Sequence, residues 1–272
     1  MQKRGITLIE VMITLLIFVF LIAAIYAVFS SGKNARDSVD SQADLTHNAR
    51  TAMQDILKTL SESNAGSISE TLGVLPTFVD PLNGQQHQIL IFPSARGDPA
   101  SASQDGTHHD NNYVHLGVDY RPLWRSAVIY CTYVENGMQQ LRKYIDYGSS
   151  ATYYESGKFP ITFSSVSANT IILQRADASV LTLARNAGRV IANYIVSEDS
   201  DNSGTLDANE DDGNANLPPD NADGVLDRGA DFTLTGRMLK VKLLLAKSET
   251  ALTQGVRFHT VTLDGLTEVR NE

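Results

Sequence analysis

The chain has 272 residues, of which 42% are apolar and 19% are charged, and its formal net charge is −9 at pH 7. This length and apolar content suffice for one globular domain with a hydrophobic core. The acidic balance, without a basic stripe interleaved with aromatic residues, excludes a typical nucleic-acid-binding protein. A single cysteine, Cys131, cannot form an internal disulfide, so packing or a metal must stabilise the fold. We expect the Cys131 thiol to be buried and unreactive.

The first thirty residues carry the strongest signal in the chain. Two basic residues, Lys3 and Arg4, precede Gly5, and nineteen uncharged residues occupy positions 11–29. A helix of nineteen residues is about 28 Å long, close to the roughly 30 Å hydrocarbon core of a bilayer. No small-residue cleavage site follows this run, and a carboxylate, Glu10, stands at its front edge, where an ionisable group suggests a function. The segment therefore predicts a membrane-spanning helix rather than an ordinary secretory signal.

This N-terminal pattern resembles the class III signal of type IV pilins and type II secretion pseudopilins. In that family a basic leader ends in glycine, cleavage follows it, and the fifth residue of the mature chain is glutamate. The resemblance implies a leader over residues 1–5, cleavage after Gly5, a new N-terminus at Ile6, and Glu10 as the fifth mature residue. It also implies a prepilin peptidase, which cleaves and methylates, and other major and minor pilins or pseudopilins as partners.

Two positions depart from the pattern of that family. The usual first mature residue is phenylalanine, where this chain has Ile6. Major pilins often carry a helix-kinking proline near mature position 22, where this chain has Ala27, and this difference favours a minor subunit. The run at positions 48–57 also resembles the equivalent part of W-type minor pilins and J-type pseudopilins.

A charge pair between subunits would explain Glu10. Cleavage after Gly5 would leave a free α-amino group on Ile6, which is largely protonated at neutral pH. A carboxylate and an ammonium among apolar helices reduce each other's desolvation cost if Glu10 of one subunit meets the Ile6 amine of the next. We expect this pair to set the axial register of a filament. The alternative is a plain membrane anchor in which Glu10 lies near the lipid head groups.

From residue 31 to about Leu60 the helical pattern continues and becomes amphipathic. Apolar or small positions recur at steps of three and four residues: Val39, Ala43, Thr46, Ala49, Met53, Ile56 and Leu60. One continuous helix should therefore lead from the membrane into the globular part and bury this stripe against a sheet. The turn-forming stretch 61–67 should end it.

Strand signals dominate the rest of the chain. The candidate strands cover residues 88–92, 127–133, 139–147, 170–174, 180–183, 189–196, 237–245 and 255–269. Asn136 and Gly137 separate two of them and predict a tight hairpin, because these residue types readily adopt the positive φ angles of a primed turn. The predicted fold class is α+β, a long N-terminal helix packed on a largely antiparallel sheet.

The chain therefore divides into four predicted parts. Residues 1–5 are the leader, 6–29 the transmembrane and assembly helix, 30–66 the amphipathic half of that helix, and 67–272 the β domain. The β domain contains an acidic insertion, defined as residues 198–231, with eleven acidic residues and one basic residue, Arg228. Its net charge is −10, so the remainder of the chain sums to +1. Such local acidity is self-repelling without a cation.

Positions 199–210 within the acidic insertion match a twelve-residue calcium-binding loop. The pattern requires oxygen ligands at positions 1, 3, 5, 7, 9 and 12, which are Asp199, Asp201, Ser203, Thr205 through its carbonyl, Asp207 and Glu210. Gly204 stands at position 6, where the sharp turn requires glycine. Ca²⁺ takes about 6–8 oxygen ligands, and Mg²⁺ suits this loop less well. Because a strand-like segment precedes it, we expect an isolated EF-hand-like loop between strands.

A second, less complete copy of the calcium pattern follows at positions 219–230. Its candidate ligands are Asn221, Asp223, Val225 through its carbonyl, Asp227 and Asp231. Pro219 and Ala230 occupy the first and last positions, where an acidic residue is expected. The alternative for both loops is a solvated acidic segment that binds no metal.

No catalytic constellation is visible in the sequence, which lacks Gly-x-Ser-x-Gly, phosphate-loop, His-Glu-x-x-His and Cys-x-x-Cys patterns. The predicted function is that of a non-enzymatic minor pilin or pseudopilin that helps to initiate or cap a filament. Before assembly it would cross the lipid of the bacterial inner membrane once, and afterwards it would lie in a periplasmic or extracellular filament. The alternative is a calcium-dependent adhesin or surface-binding module displayed on the pilus.

Overall fold

The computed structural model describes residues 7–61, 77–94, 126–147, 161–197, 228–236, 238–251 and 255–268. Within these residues one long α-helix precedes twelve β-strands and a short 3-10 helix. All of the strand pairs are antiparallel. The architecture is an α+β, pilin-like fold, and the predicted fold class is therefore confirmed.

The helix, α1, spans Leu8–Leu60, which is 53 residues. At about 1.5 Å per residue it is roughly 80 Å long. No proline interrupts it, and it ends where the sequence indicated, with the Ser61 N–H donating to the Leu57 carbonyl. The side chains that it buries lie in its second half: Ser41, Leu45, Ala49, Ala52, Met53, Ile56, Thr59 and Leu60.

The predicted apolar stripe is right near the end of α1 and wrong nearer its middle. Val39 is 64% exposed and Ala43 is also exposed, whereas Ser41 and Leu45 are buried. Ser41 is the first side chain that α1 buries in the described structure, and Val39 precedes it. An apolar period shows that a helix has a buried face, but the approach angle of the sheet selects the residues on that face.

The strands are numbered in chain order. They are β1 Thr77–Val79, β2 Gln86–Gln88, β3 Leu90–Ser94, β4 Ser126–Glu135, β5 Met138–Asp146, β6 Ile161–Val166, β7 Thr170–Arg175, β8 Val180–Ala184, β9 Arg189–Asn193, β10 Ala230–Thr235, β11 Met238–Ala251 and β12 Gly255–Glu268. The 3-10 helix is Arg185–Ala187, between β8 and β9. Hydrogen bonding gives the sheet orders β3-β4-β5-β9, β10-β11-β12, β6-β7-β8 and β1-β2.

Each predicted strand region contains a strand, and the predicted β4–β5 hairpin is confirmed. Asn136 and Gly137 form its turn with φ angles of 53° and 76°. The region predicted over 88–92 is divided, because β2 ends at Gln88 to pair with β1 and β3 begins at Leu90 to pair with β4. Strands β1, β6 and β10 were not predicted from the sequence. They are three to six residues long and show only weak apolar alternation. Their pairing with neighbouring strands, rather than their own composition, makes them strands.

The sheet β3-β4-β5-β9 and the sheet β10-β11-β12 join just after β9. Residues 194–196 cross from β5 to β11, and Ile195 forms a bridge with Leu245 of β11. The Ile195 N–H donates to the Gln139 carbonyl (3.1 Å), and the Ala246 N–H donates to the Tyr194 carbonyl (2.9 Å). Tyr194 makes this change of partner with a φ of 63°. A bulky residue seldom adopts a positive φ, so this junction is a strained point of the backbone.

Among the residues described above, two hydrophobic cores stabilise the globular part. The first packs the second half of α1 on the joined sheets, with Leu45, Ile56, Phe92 and Leu243 among its fully buried side chains. The second lies between the opposite face of β3-β4-β5 and the sheet β6-β7-β8. Cys131 belongs to the second core and is fully buried, and this burial raises the pKa of its thiol to about 12. This buried environment is consistent with the expectation that the Cys131 thiol is unreactive.

Candidate functional site

Glu10 lies in the first turn of α1 and forms a reciprocal cap with Thr7. The Thr7 hydroxyl oxygen accepts from the Glu10 N–H (3.4 Å), while Glu10 Oε2 accepts from the Thr7 N–H (2.9 Å) and hydroxyl (3.0 Å). A carboxylate at this position also interacts favourably with the positive end of the helix dipole. Thr-x-x-Glu before an apolar run is the sequence signature of such a cap. Glu10 therefore has a local role that is separate from the predicted contact between subunits.

The first half of α1 exposes a continuous apolar surface from Val11 to Phe29. It is the part of the described chain that is long and apolar enough to cross a membrane, and none of its most apolar stretch is buried. Within this run the Thr14 hydroxyl donates to the Glu10 carbonyl (2.7 Å), so it needs no external partner. Water is a poor solvent for such a surface, which requires lipid or other helices to cover it.

An ionic cluster around Asp55 attaches the second half of α1 to the sheet. The Asp55 carboxylate accepts hydrogen bonds from Tyr130 Oη (2.9 Å), from Lys143 Nζ (3.0 Å) and from the Arg189 guanidinium. Burial by itself opposes ionisation of Asp55, but the hydrogen bond and charge of Lys143, together with the other partners, hold its pKa below the usual value. These contacts join the helix to β4, β5 and β9 at one point.

Most of the predicted metal ligands lie outside the described residues. This is so for Asp199, Asp201, Ser203, Thr205, Asp207 and Glu210, for Asn221, Asp223, Val225 and Asp227, and likewise for the processing residues Gly5 and Ile6. Asp231 is described and lies in β10, where its Oδ2 accepts a hydrogen bond from the Arg228 N–H (2.8 Å). Among the described residues no group of three or more His, Cys, Asp or Glu side chains is placed to hold a metal ion.

The described residues on either side of positions 198–227 are adjacent in the structure. The Val196 N–H donates to the Leu244 carbonyl (3.2 Å), and the Leu244 N–H donates to the Gly229 carbonyl (2.9 Å), so both ends bond to one residue of β11. Gly229 has a φ of 89°, and a Cβ there would lie 2.6 Å from the Val196 carbonyl oxygen. The chain therefore leaves and rejoins the sheet at a single place.

Strand β2 holds the C-terminal end of the acidic insertion. Arg228 Nε donates to the Gln86 side-chain carbonyl (3.1 Å), and the Phe232 N–H donates to that of Gln88 (2.7 Å). Between them, His87 Nδ1 lies 3.4 Å from the Arg228 carbonyl oxygen. No local sequence pattern indicated this contact, because about 140 residues separate the partners.

Residues 1–26 match the model of the prokaryotic N-terminal methylation motif. This match supports a type IV pilin-like family for the chain, and within it a type IV pilin or a pseudopilin. It implies processing by a prepilin peptidase and assembly with other pilins, and it fits membrane anchoring before assembly into a surface filament. Comparison with curated proteins and with solved structures gives no match.

Proposed function

We propose that the protein is a minor pilin or pseudopilin of a type IV pilus or a type II secretion pseudopilus. It is processed after Gly5 and helps to initiate or cap filament assembly. The observation that carries this proposal is the exposed apolar half of α1, which begins inside the matched motif with the capped turn containing Glu10. Lipid covers this surface before assembly, and the helices of neighbouring subunits cover it afterwards.

The uninterrupted course of α1 supports a minor rather than a major subunit. The helix continues through Ala27, the position at which major pilins often have a kinking proline, without a break between Leu8 and Leu60. The Asp55 cluster holds the globular part to the second half of the same helix. The domain and the assembly helix therefore move together when the subunit leaves the membrane.

Substitutions at Glu10 and Thr7 separate the intersubunit charge pair from the helix cap. Glutamine at position 10 can keep the capping hydrogen bonds but removes the charge, whereas Thr7→Ala removes the hydroxyl cap and keeps the charge. We expect Glu10→Gln and Glu10→Ala both to lower the amount of subunit in sheared filaments at least about ten-fold, which corresponds to about 1.4 kcal/mol. Thr7→Ala should retain incorporation.

Mass spectrometry of the N-terminus provides the control for these variants. Each variant must first be shown to lack residues 1–5, so that a processing defect is not mistaken for an assembly defect. If Glu10→Gln enters filaments like the wild type while Glu10→Ala does not, Glu10 acts as a cap and the charge-pair proposal is wrong. If the unmodified protein keeps its first five residues in the membrane, the pilin proposal is wrong.

The proposal includes a calcium ion bound by Asp199, Asp201, Ser203, Thr205, Asp207 and Glu210, which would make the acidic insertion rigid. Its support is the twelve-position ligand pattern, the net charge of −10 and the adjacent ends of the insertion. Adjacent ends allow a local loop to close around an ion without disturbing β9 or β10. The second loop, with Asp227 and Asp231, is the weaker candidate.

Thermal unfolding of the full-length protein in detergent micelles tests the calcium site. Millimolar Ca²⁺ should raise the unfolding midpoint relative to a chelator, because a ligand that binds only the folded state stabilises it, and Mg²⁺ should raise it less. Glu210→Gln should abolish this shift. Asp212→Asn, an equal loss of charge outside the predicted ligand set, should retain it. An unchanged midpoint at millimolar Ca²⁺ would exclude the site.

The adjacent ends of the acidic insertion also favour a second candidate, in which the insertion is a calcium-dependent adhesive module displayed on the filament. Because Val196 and Gly229 already touch, residues 198–227 can be replaced by a short glycine linker while β9 and β10 keep their partners. Loss of filaments in this deletion supports the assembly role. Loss of surface attachment with unchanged filament number supports the adhesin.

A further inference from the structure

We propose that a groove beside α1 binds a neutral oligosaccharide. The groove, here called the amide groove, has a volume of about 670 Å³ and lies where residues 194–196 cross from β5 to β11. The side chains that define it are Asn83, Gln85, Gln139, Tyr194, Lys247 and Phe258. This inference does not depend on the calcium site or on the assembly role.

The charge of the amide groove argues for an uncharged ligand. Lys247 is the one charged side chain among its described lining residues. Its ammonium lies 3.3 Å from Asp44 Oδ2 of α1 and 5.2 Å from the centre of the Tyr194 ring, so its charge is already matched. An anionic ligand would have to compete with Asp44, and a cationic one would be repelled by Lys247. A neutral ligand meets neither obstacle.

The amide side chains supply the hydrogen bonding that a sugar hydroxyl requires. Asn83 Nδ2 donates to the side-chain oxygens of Gln85 (3.0 Å) and Gln139 (3.2 Å), which links the three amides along one wall. Gln139 Nε2 is shielded from solvent and has no hydrogen-bond partner in the described part of the chain. A buried amide donor without an acceptor is unfavourable, and rotation of the Gln139 side chain toward the groove would let a ligand oxygen satisfy it. Hydroxyl groups suit amides because each both donates and accepts.

The backbone of the amide groove argues against an extended peptide. Peptides commonly bind by adding a strand to an open sheet edge. Here residues 194–196 are paired on both sides, since the Ile195 N–H donates to the backbone carbonyl of Gln139 in β5 and the Tyr194 carbonyl accepts from the Ala246 N–H of β11. No strand edge is open at this point of the described structure, so a ligand must be recognised by side chains.

Tyr194 provides an independent indication that the groove is a site. Its φ of 63° is strained for an aromatic residue, and such strain is concentrated at binding and catalytic positions. Tyr194 lines the groove, and the Lys247 ammonium lies over its ring. Phe258, on the adjacent β12, supplies an apolar ring against which the C–H face of a sugar can pack.

Saturation-transfer NMR with the full-length protein in detergent micelles tests the proposal. The probes are maltotriose, lactose and N,N′-diacetylchitobiose, with an anionic oligogalacturonate for comparison. At least one neutral probe should bind with a dissociation constant of about 1 mM or tighter, and more tightly than the anionic probe. Absence of binding by every neutral probe, or a preference for the anionic one, overturns the proposal.

A matched pair of glycine substitutions locates the binding. Tyr194→Gly removes the phenol and relieves the positive φ, so it should weaken binding at least about ten-fold, and the relieved φ should offset part of the stability lost with the ring. Ala178→Gly relieves the same φ of 63° in the β7–β8 turn, outside the amide groove, and should leave binding unchanged. Equal binding by Tyr194→Gly and the wild type overturns the proposal.

Two further variants keep the test decisive if Tyr194→Gly does not fold. Gln139→Leu removes the amide at similar size, and Phe258→Ala removes the ring, and each should weaken binding at least about ten-fold. Unchanged binding in both overturns the proposal. All groove variants should still enter sheared filaments, so failure of saccharide binding is distinguishable from failure of the assembly role tested at Glu10.

Discussion

Gly265 of β12 lies directly against Met53 of α1, and a Cβ at position 265 would overlap the Met53 sulfur. Both residues are buried where the second half of the helix crosses the sheet. The closeness of helix and strand at this point therefore depends on the missing side chain.

We expect Gly265→Ala to lower the free energy of unfolding by about 1–3 kcal/mol, because the methyl group must displace a packed thioether. Urea unfolding followed by circular dichroism measures this change. Met53→Ala combined with Gly265→Ala should cost less than the sum of the two single changes. Gly32→Ala, with no atom within 4 Å of the added Cβ, is the control and should not destabilise the protein. Additive costs in the double variant would contradict the proposed overlap.

The Asp55 cluster should make the attachment of α1 dependent on pH. The depressed pKa of Asp55 means that its stabilising contribution is present above its unfolded pKa of about 4 and is lost as pH falls through the folded value. Asp55→Asn should therefore cost about 1–3 kcal/mol at pH 7, and the difference from wild type should shrink below about pH 4. Urea midpoints across pH measure this.

Asp40→Asn provides the control for Asp55→Asn. Asp40 forms an exposed i,i+4 ion pair with Arg36 (3.6 Å), and its loss should change stability by less than about 1 kcal/mol. An Asp55→Asn cost that stays the same from pH 7 to pH 3 would show that shape rather than charge is responsible.

The ion pair between Asp80 and Arg185 is fully buried and should be sensitive to single substitutions. Arg185 Nη1 donates to Asp80 Oδ1 (2.9 Å), its Nη2 contacts the other carboxylate oxygen, and it also donates to the Ser167 and Thr132 carbonyls. We expect Asp80→Asn to cost about 3–5 kcal/mol, because it leaves a buried charge unpaired. The double variant Asp80→Leu with Arg185→Met should cost less than Asp80→Asn. Denaturant unfolding distinguishes these outcomes, and a larger cost for the double variant would contradict the explanation.

His87 should make the protein less stable in mild acid. Burial lowers its pKa to about 4, against a weaker opposing effect of Asp80. Between this value and the unfolded pKa of about 6.5, the unfolded chain binds a proton that the folded chain does not. The stabilising contribution of the neutral His87 is therefore fully present above about pH 6.5 and falls by about 3 kcal/mol as pH approaches 4. His87→Gln should reduce this loss, as measured by urea midpoints at pH 7 and pH 4.5. His47→Gln, at an exposed position of α1, should retain it.

The features that sequence alone predicted are those with local causes. The apolar run before Phe29 and the small and apolar steps that follow it predict one long helix, because helix formation depends on neighbours within four residues. The pair Asn136-Gly137 predicts its hairpin because the turn needs only those two φ angles. The motif around Gly5 and Glu10 is also contiguous. The short strands β1, β6 and β10 could not be predicted, because their pairing partners rather than their composition make them strands.

The amino-acid sequence by itself determined the helix, the tight hairpin and the N-terminal motif, since each depends on consecutive residues, and the acidic pattern from which a calcium loop is predicted is also contiguous. The tertiary structure decided which face of α1 is buried, so that Leu45 rather than Ala43 enters the core. It also decided that Arg185 meets Asp80, that Met53 lies on Gly265, and that Tyr194 takes a strained φ beside a groove. The physical reason is that burial, close packing and ion pairing depend on which distant segments share a surface, and no local period of the chain encodes that choice.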